Sequence, residues 1–144
     1  MLKRAIALAL ATLILAGGAM MGRASGIEEE TAMKMWIDET EVPVTWEENE
    51  SVAALEALLP LTIQMSMYGG FEQVGPIGQS IARDDMQTTT DAGDIVLYSG
   101  NQLVVFYGSN AWAYTRLGHV DLSPEAMADL LGQGDVAITL SRGD

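Results

Sequence analysis

The sequence predicts a mainly β protein, a closed antiparallel β-barrel of about eight strands with two short helices. Apolar and polar residues alternate along most segments after residue 32, which is typical of strands with one buried face. Glycine-containing turns separate these segments, and only two stretches have apolar residues at helical spacing. No internal repeat interrupts this pattern. We therefore expect the strands to close into one barrel rather than to form a sandwich.

A hairpin is predicted at the start of the domain. The apolar residues of Met33–Ile37 alternate and therefore lie on one face of a strand. After a turn at Asp38–Glu41, Val42–Trp46 returns as the second strand. Pro43 predicts that this second strand lies at an edge or begins irregularly, because proline has no N–H to give to a neighbouring strand.

The next segment is predicted to form the first helix and the third strand. Apolar side chains recur at helical spacing over Asn49–Leu59, where Asn49 is a suitable cap and Pro60 ends the helix. In Leu61–Met67 the apolar residues alternate again, up to the break at Gly69-Gly70.

Short strands at Glu72–Val74 and Met86–Thr90 precede a second predicted hairpin. The strands of this hairpin are Ile95–Ser99 and Gln102–Tyr107. Gly100-Asn101 is predicted as its two-residue turn, because both residue types tolerate positive φ.

The last part of the chain is predicted to hold a strand, a helix and a final strand. Ala111–Arg116 alternates as a strand, and Ser123 and Pro124 are the residue types that cap and begin a helix. Gly132 or Gly134 ends that helix. Alternation over residues 136–140 then predicts the final strand.

The first residues predict export. Lys3 and Arg4 precede an apolar run and a group of small residues, which is the pattern of a secretory signal peptide. Residues 1–24 are therefore predicted to be a signal peptide, with an N-terminal anchor as the alternative. Residues 25–31 are predicted to be a linker and residues 32–142 the domain, located in the periplasm or outside the cell.

Composition limits the partners and the chemistry. The formal net charge is −13, which argues against nucleic acid as a partner, and against a membrane surface beyond an N-terminal anchor. Cysteine is absent and His119 is the single histidine, so a disulfide framework, thiol chemistry and a histidine-rich metal site are excluded. We expect no metal and no cofactor. The oligomeric state is left open.

Aromatic residues are concentrated in one part of the chain. Seven of the nine lie between Tyr68 and Tyr114, and this clustering predicts a groove that binds a ligand. The GGFEQVG segment is expected to form its rim, with Phe71 as an apolar contact and Glu72 or Gln73 as a polar contact. The alternative is that its glycines only permit a bend at a barrel corner. The predicted ligand-binding residues are Tyr68, Phe71, Gln73, Gln79, Phe106, Trp112, Tyr114, Arg116 and His119.

Arg116 is the best candidate for a catalytic residue. It is one of four basic residues after residue 24, and it stands between Trp112, Tyr114 and His119. Its guanidinium could donate hydrogen bonds to a substrate carbonyl or carboxylate. The alternative is an internal pair with one of the many acidic residues, which would secure a loop.

Three motifs resemble a known family. The segments Met67–Gly75 (MYGGFEQVG), Asp91–Ser109 (DAGDIVLYSGNQLVVFYGS) and Trp112–Val120 (WAYTRLGHV) closely resemble the bacterial and archaeal cyclophilin-like domain proteins. The resemblance covers roughly Met33–Leu140 and implies the barrel of peptidyl-prolyl isomerases in a shortened form. The Phe-Met-x-Gln string of the isomerases themselves is absent, since Phe71 is followed by a different pair of residues.

Two functions are consistent with these observations. The first is an exported binding module that receives a small molecule or an extended peptide in the aromatic groove. The alternative, implied by the resemblance, is a peptidyl-prolyl cis-trans isomerase acting on exported proteins. Isomerisation requires a polarised, partly desolvated prolyl amide but no nucleophile, so an arginine among aromatic residues is compatible with it.

Overall fold

The structure, a computed structural model, describes residues 33–143. A compact unit spans Lys34–Ser141. The predicted leader at residues 1–24 and linker at 25–31 lie outside the described residues. Within these residues, neither helix is long and apolar enough to cross a membrane.

The mainly β class with two short helices is confirmed. The helices are α1 (Glu50–Glu56) and α2 (Pro124–Leu131). The strands of the described part are β1 (Lys34–Ile37), β2 (Thr40–Val42), β3 (Val44–Trp46), β4 (Leu61–Gln64), β5 (Ser66–Tyr68), β6 (Glu72–Pro76), β7 (Met86–Thr89), β8 (Asp94–Tyr98), β9 (Gln102–Phe106), β10 (Ala111–Val120) and β11 (Ala137–Ser141).

The strands form two antiparallel sheets. The smaller sheet has the order β2-β1-β11-β4, and the larger has the order β3-β10-β8-β9-β6-β5, with β7 paired to β10 beside this path. Both sheets are open at their ends. The described hydrogen bonds therefore do not join the strands into the single closed ring that the sequence predicted.

Two predicted strands are broken, and both breaks fall where the chain passes from one sheet to the other. Pro43 separates β2 from β3, because it has no N–H to continue the ladder. Met65 separates β4 from β5, and its N–H donates to the carbonyl of Val136 at 2.9 Å. After this break all three residues of β5 are exposed. Met67, which was predicted to face inward with Ile63 and Met65, is 37% exposed.

The hairpin of β8 and β9 has a longer turn than predicted. Tyr98 pairs with Gln102, so the loop contains three residues rather than the two of Gly100-Asn101. Its left-handed residues are Ser99 (φ 55°) and Gly100 (φ 75°). A serine can adopt this conformation at a cost in backbone strain, which is why the residue types alone placed the turn one position too late.

Both predicted helix caps are confirmed. The Asn49 side chain accepts from the N–H of Val52 at 2.8 Å, and the Ser123 hydroxyl accepts from the N–H of Ala126 at 3.1 Å. These bonds satisfy helix N–H groups that have no partner inside the helix. The Asn49 amide also donates to the carbonyl of Arg116 at 2.9 Å, which ties the start of α1 to β10.

The centre of the larger sheet, at β8 and β9, is buried on both faces. In β9, Leu103 and Val105 point to one side, and Val104 and Phe106 point to the other; all four are at most 1% exposed. The side with Val104 and Phe106 carries a separate apolar cluster that includes Tyr114. The candidate site lies on this face of the sheet, where aromatic side chains pack against one another.

Candidate functional site

An open groove of about 800 Å³ lies on this aromatic face of the larger sheet. Five rings stand in its wall, and one carboxyl group lies among them. The residues that line it are Tyr68, Gly69, Phe71, Glu72, Val74, Tyr98, Val104, Asn110, Trp112 and Tyr114. Four of the residues predicted to bind a ligand, the aromatics at 68, 71, 112 and 114, are thus brought together.

The turn between β5 and β6 builds one side of the groove. Gly69 (φ 69°) and Gly70 (φ 74°) adopt left-handed conformations that favour glycine, so Tyr68 pairs directly with Glu72 across a tight hairpin. Phe71 sits in this turn and packs edge-to-face on Tyr68, with ring centroids 6.4 Å apart. The glycines therefore permit the bend, and the turn that they form is also part of the rim of the groove.

The floor of the groove follows from strand register. Residues directly opposite each other in neighbouring strands share a face of the sheet. Glu72 lies opposite Phe106, and Val74 lies opposite Val104. Phe106, fully buried, stacks parallel to Phe71 at 6.5 Å and meets Tyr114 edge-to-face at 5.7 Å. Phe106 is thus the floor beneath the lining rings rather than a lining residue itself.

Two rim residues leave large apolar surfaces in solvent. Tyr68 is 64% exposed and Trp112 is 56% exposed, whereas Tyr114 deeper in the groove is 4% exposed. The Tyr114 hydroxyl accepts from the Asn110 amide at 2.8 Å, so its position is set within β10 and the loop before it. Burial, the largest cause, raises the pKa of Tyr114.

Glu72 is the unusual group of the groove. Glu72 is 7% exposed, and its Oε1 has no hydrogen-bond partner among residues 33–143. Burial raises the pKa of Glu72 to about 7. A carboxyl group in this environment changes its charge near neutral pH, so the groove can hold either a carboxylate or a neutral acid.

Gln73 lies on the opposite face of β6. It is fully buried, and its side-chain amide donates to the carbonyls of Leu131 and Gly134, both at 2.8 Å. These carbonyls stand at the end of α2, where helical C=O groups lack partners. Between the two polar candidates of the rim, strand alternation thus places Glu72 in the groove and Gln73 in the interior.

The contacts of Gln73 predict a structural role that can be measured. Gln73→Leu should lower the free energy of unfolding by about 2 kcal/mol, because two carbonyls at the end of α2 lose their donor. Urea unfolding of the variant and the parent measures this difference. Gln79→Leu is the matched control, since Gln79 is exposed and its replacement should change stability by less than about 0.5 kcal/mol. Equal losses in both variants would contradict this role.

Arg116 and His119 form a separate polar group with Asp94. The Arg116 Nη1 lies 3.2 Å from one Asp94 oxygen, its Nη2 donates to the Thr89 carbonyl at 3.2 Å, and the His119 Nδ1 lies 2.9 Å from the other Asp94 oxygen. Burial favours a higher pKa for Asp94, but the Asp91 N–H, His119 and Arg116 together lower it below its ordinary value. Neither Arg116 nor His119 lines the aromatic groove.

Arg116 lines a second cavity of about 890 Å³ on the other side of Tyr114, beside the start of α1. Most of its polar side chains have partners within the protein. Ser51 donates to the Ala82 carbonyl at 2.6 Å, Thr115 donates to Asp85 at 2.7 Å, and Arg83 pairs with Asp85 at 3.0 Å. Because these groups satisfy one another, the aromatic groove with its unpartnered carboxyl oxygen is the stronger candidate for a binding site.

Six lining residues were not predicted as ligand contacts, and three of them, Glu72, Tyr98 and Asn110, have polar side chains. Glu72 was predicted only as an alternative to Gln73, Tyr98 was assigned to a strand, and Asn110 was given no role. No local signal could have found these contacts, because the face of Glu72 depends on the pairing of β6 with β9, and the approach of Tyr98 depends on the pairing of β8 with β10. Gln79, a predicted contact, is exposed and lies outside the lining. The described residues contain no group of three or more acidic or histidine side chains able to hold a metal ion.

Comparison with known proteins agrees with this architecture. The sequence matches the cyclophilin-like family over residues 35–141. The solution structure of a hypothetical protein from Archaeoglobus fulgidus superimposes with a TM-score of 0.60 at 14% identity, covering 82% of this chain and 99% of the archaeal chain. No curated protein matched at a significant level. The family match spans nearly all of the described residues, and the chain belongs to the cyclophilin-like family.

Proposed function

We propose that this protein is a binding module whose aromatic groove receives a small molecule or a segment of an extended peptide. The observation that carries the proposal is an open groove walled by five aromatic rings, two of which leave most of their surface in solvent. Exposed apolar surface around a concavity marks an interaction site in a soluble domain.

The groove is also built to keep its shape. Its floor, Phe106, is fully buried and contacts rings on both sides, and Tyr114 is held by Asn110. Side chains that are packed and hydrogen-bonded before a ligand arrives lose little conformational entropy on binding. This preorganisation supports recognition by the groove.

The isomerase alternative rested on the family resemblance and on Arg116 among aromatic residues. The guanidinium is bonded to Asp94 and Thr89 and stands outside the groove, so the residue that was expected to polarise a prolyl amide is already engaged. Isomerase activity stays a prediction without support from this geometry. The binding function is therefore preferred.

Binding in the groove is tested by chemical-shift mapping of the ¹⁵N-labelled protein against libraries of small molecules and short peptides. The perturbed amides should converge on the turn at residues 69–71 and on the first half of β10. Trp112→Ala should weaken each binder by about tenfold, because it removes one aromatic wall.

Trp36→Ala is the matched control, because Trp36 is a half-exposed tryptophan of β1 in the other sheet. This variant should bind as the parent does. Perturbations that never converge on the groove, or equal losses in the two tryptophan variants, would exclude groove binding.

We also propose that the two sheets together form the wall of one barrel, and that the protein is exported. Support for the barrel comes from the paired segments β2–β3 and β4–β5, each of which continues from the smaller sheet into the larger one. Counting each pair as one bent strand gives a cyclic order of the strands. Support for export comes from the basic and apolar pattern of residues 1–24.

A further inference from the structure

We propose that the aromatic groove binds an organic cation, an ammonium or quaternary ammonium group, with Glu72 as its counter-ion and the surrounding rings as its walls. This inference rests on the proposed function and names the chemical class of the ligand. Four independent properties of the groove lead to it.

The first property is the unsatisfied carboxyl group. The buried Oε1 of Glu72 accepts no hydrogen bond from any described residue, although buried acceptors in proteins are nearly always paired. A buried carboxylate is stabilised strongly by a positive charge that arrives with a ligand. The carboxylate of Glu72 therefore lacks a positively charged partner, and the ammonium group of a ligand supplies one.

The second property is the character of the walls. Tyr68, Phe71, Tyr98, Trp112 and Tyr114 all line the groove. The negative faces of aromatic rings attract cations, and tryptophan and tyrosine do so most strongly. Contact with the rings also stabilises the apolar N-methyl and N-methylene groups of the ligand. The same walls therefore bind both the charged centre and the carbon atoms of an alkylammonium ion.

The third and fourth properties concern charge. The lining includes no lysine or arginine that would occupy Glu72 or repel a cation. Arg116, on the same strand as the lining residues Trp112 and Tyr114, is paired with Asp94. The chain as a whole carries a formal net charge of −13, which raises the local concentration of cations and lowers that of anions.

The effect of Glu72 on the pH dependence of binding can be distinguished from the effects of other ionisable groups. The groove also contains the hydroxyls of Tyr68, Tyr98 and Tyr114, which Glu72→Gln leaves in place. Asp94 on β8 bonds to both Arg116 and His119 on β10, and β9 lies between β8 and the β6 strand of Glu72. A pH effect on binding that originates in Glu72 must disappear in Glu72→Gln, whereas an effect of any other group must remain.

The probes are choline and 3,3-dimethylbutan-1-ol, a neutral molecule of the same shape in which carbon replaces the charged nitrogen. Choline should bind at least about tenfold more tightly than the alcohol at pH 8. It should bind about tenfold more weakly at pH 6 than at pH 8, because the carboxylate fraction of Glu72 falls across its pKa of about 7. The alcohol should show no such loss.

Glu72→Gln should remove both the preference for choline and its pH dependence, with amide spectra confirming that the variant is folded. A second measurement needs no variant. The ¹³C shift of the Glu72 carboxyl, followed through a pH titration, should show a lower pKa in the presence of choline and an unchanged pKa with the alcohol.

The outcomes separate the two proposals. Equal affinity for both probes, choline binding that survives Glu72→Gln, or a Glu72 pKa that choline does not lower would overturn the cation proposal. If neutral library members still perturb the groove, the binding function stands without it. If choline, the alcohol and every library member leave the groove unperturbed, both proposals are wrong.

Discussion

Glu72→Gln is expected to raise the free energy of unfolding by about 3 kcal/mol at pH 8 and to leave it nearly unchanged at pH 4. In the folded protein burial raises the pKa of Glu72 to about 7, from an ordinary value of 4.5. Between these values the folded state binds more protons than the unfolded state, so stability falls as the pH rises from about 4.5 to 7. Glutamine has the same shape and carries no charge, so the variant escapes this loss.

Urea unfolding at pH 4, 6 and 8 measures the effect. Glu39→Gln is the control, since Glu39 lies exposed in the turn between β1 and β2, and its replacement should change stability by less than about 0.5 kcal/mol at each pH. Parallel stability profiles for the parent and Glu72→Gln would show that the carboxyl group of Glu72 is solvated. The cation proposal would then lose its counter-ion.

Phe106→Ala is expected to lower the free energy of unfolding by about 3–5 kcal/mol and to abolish binding in the groove. Phe106 is fully buried, and its ring contacts Phe71 on one side and Tyr114 on the other. Removing it leaves a void below the lining residues, and the neighbouring rings lose the contacts that hold their orientation. Urea unfolding and titration with a groove ligand measure the two effects.

Leu103→Ala separates the two effects of Phe106→Ala. Leu103 is also fully buried in β9, but its side chain points to the opposite face of the sheet. This variant should lose about 2–5 kcal/mol of stability, while its folded fraction binds the ligand as the parent does. A comparable loss of affinity in Leu103→Ala would mean that binding depends on overall stability rather than on the floor of the groove.

Most local structure could be predicted, because local patterns report it directly. Side-chain alternation located the strands, and the capping residues Asn49 and Ser123 located the starts of both helices. Apart from the turn between β8 and β9, the errors fall where the chain passes from one sheet to the other. Alternation continues through Pro43 and Met65 in the sequence, but the chain bends at both residues, and nothing local distinguishes a bent strand from a straight one.

The sequence predicted the aromatic residues of the candidate site but did not predict its polar residues. Clustering along the chain was enough to indicate Tyr68, Phe71, Trp112 and Tyr114, because the hairpins of an antiparallel sheet keep neighbouring segments close. The same proximity suggested Arg116 and His119, but their side chains turn to Asp94. Which acid a basic side chain reaches depends on strand register and on the bulge in β10, and one sequence does not disclose these.

By itself, the sequence determined the mainly β class, the two capped helices, the acidic surface charge and a region rich in aromatic residues, because each depends on composition or on short-range periodicity. Only the tertiary structure decided that Glu72 faces the groove while Gln73 faces the interior, and that the charged groups around Asp94 stand apart from both. The physical reason is the two-residue period of a strand. A shift of register by one position exchanges the two faces, so the chemistry of the groove is set by pairing between distant segments.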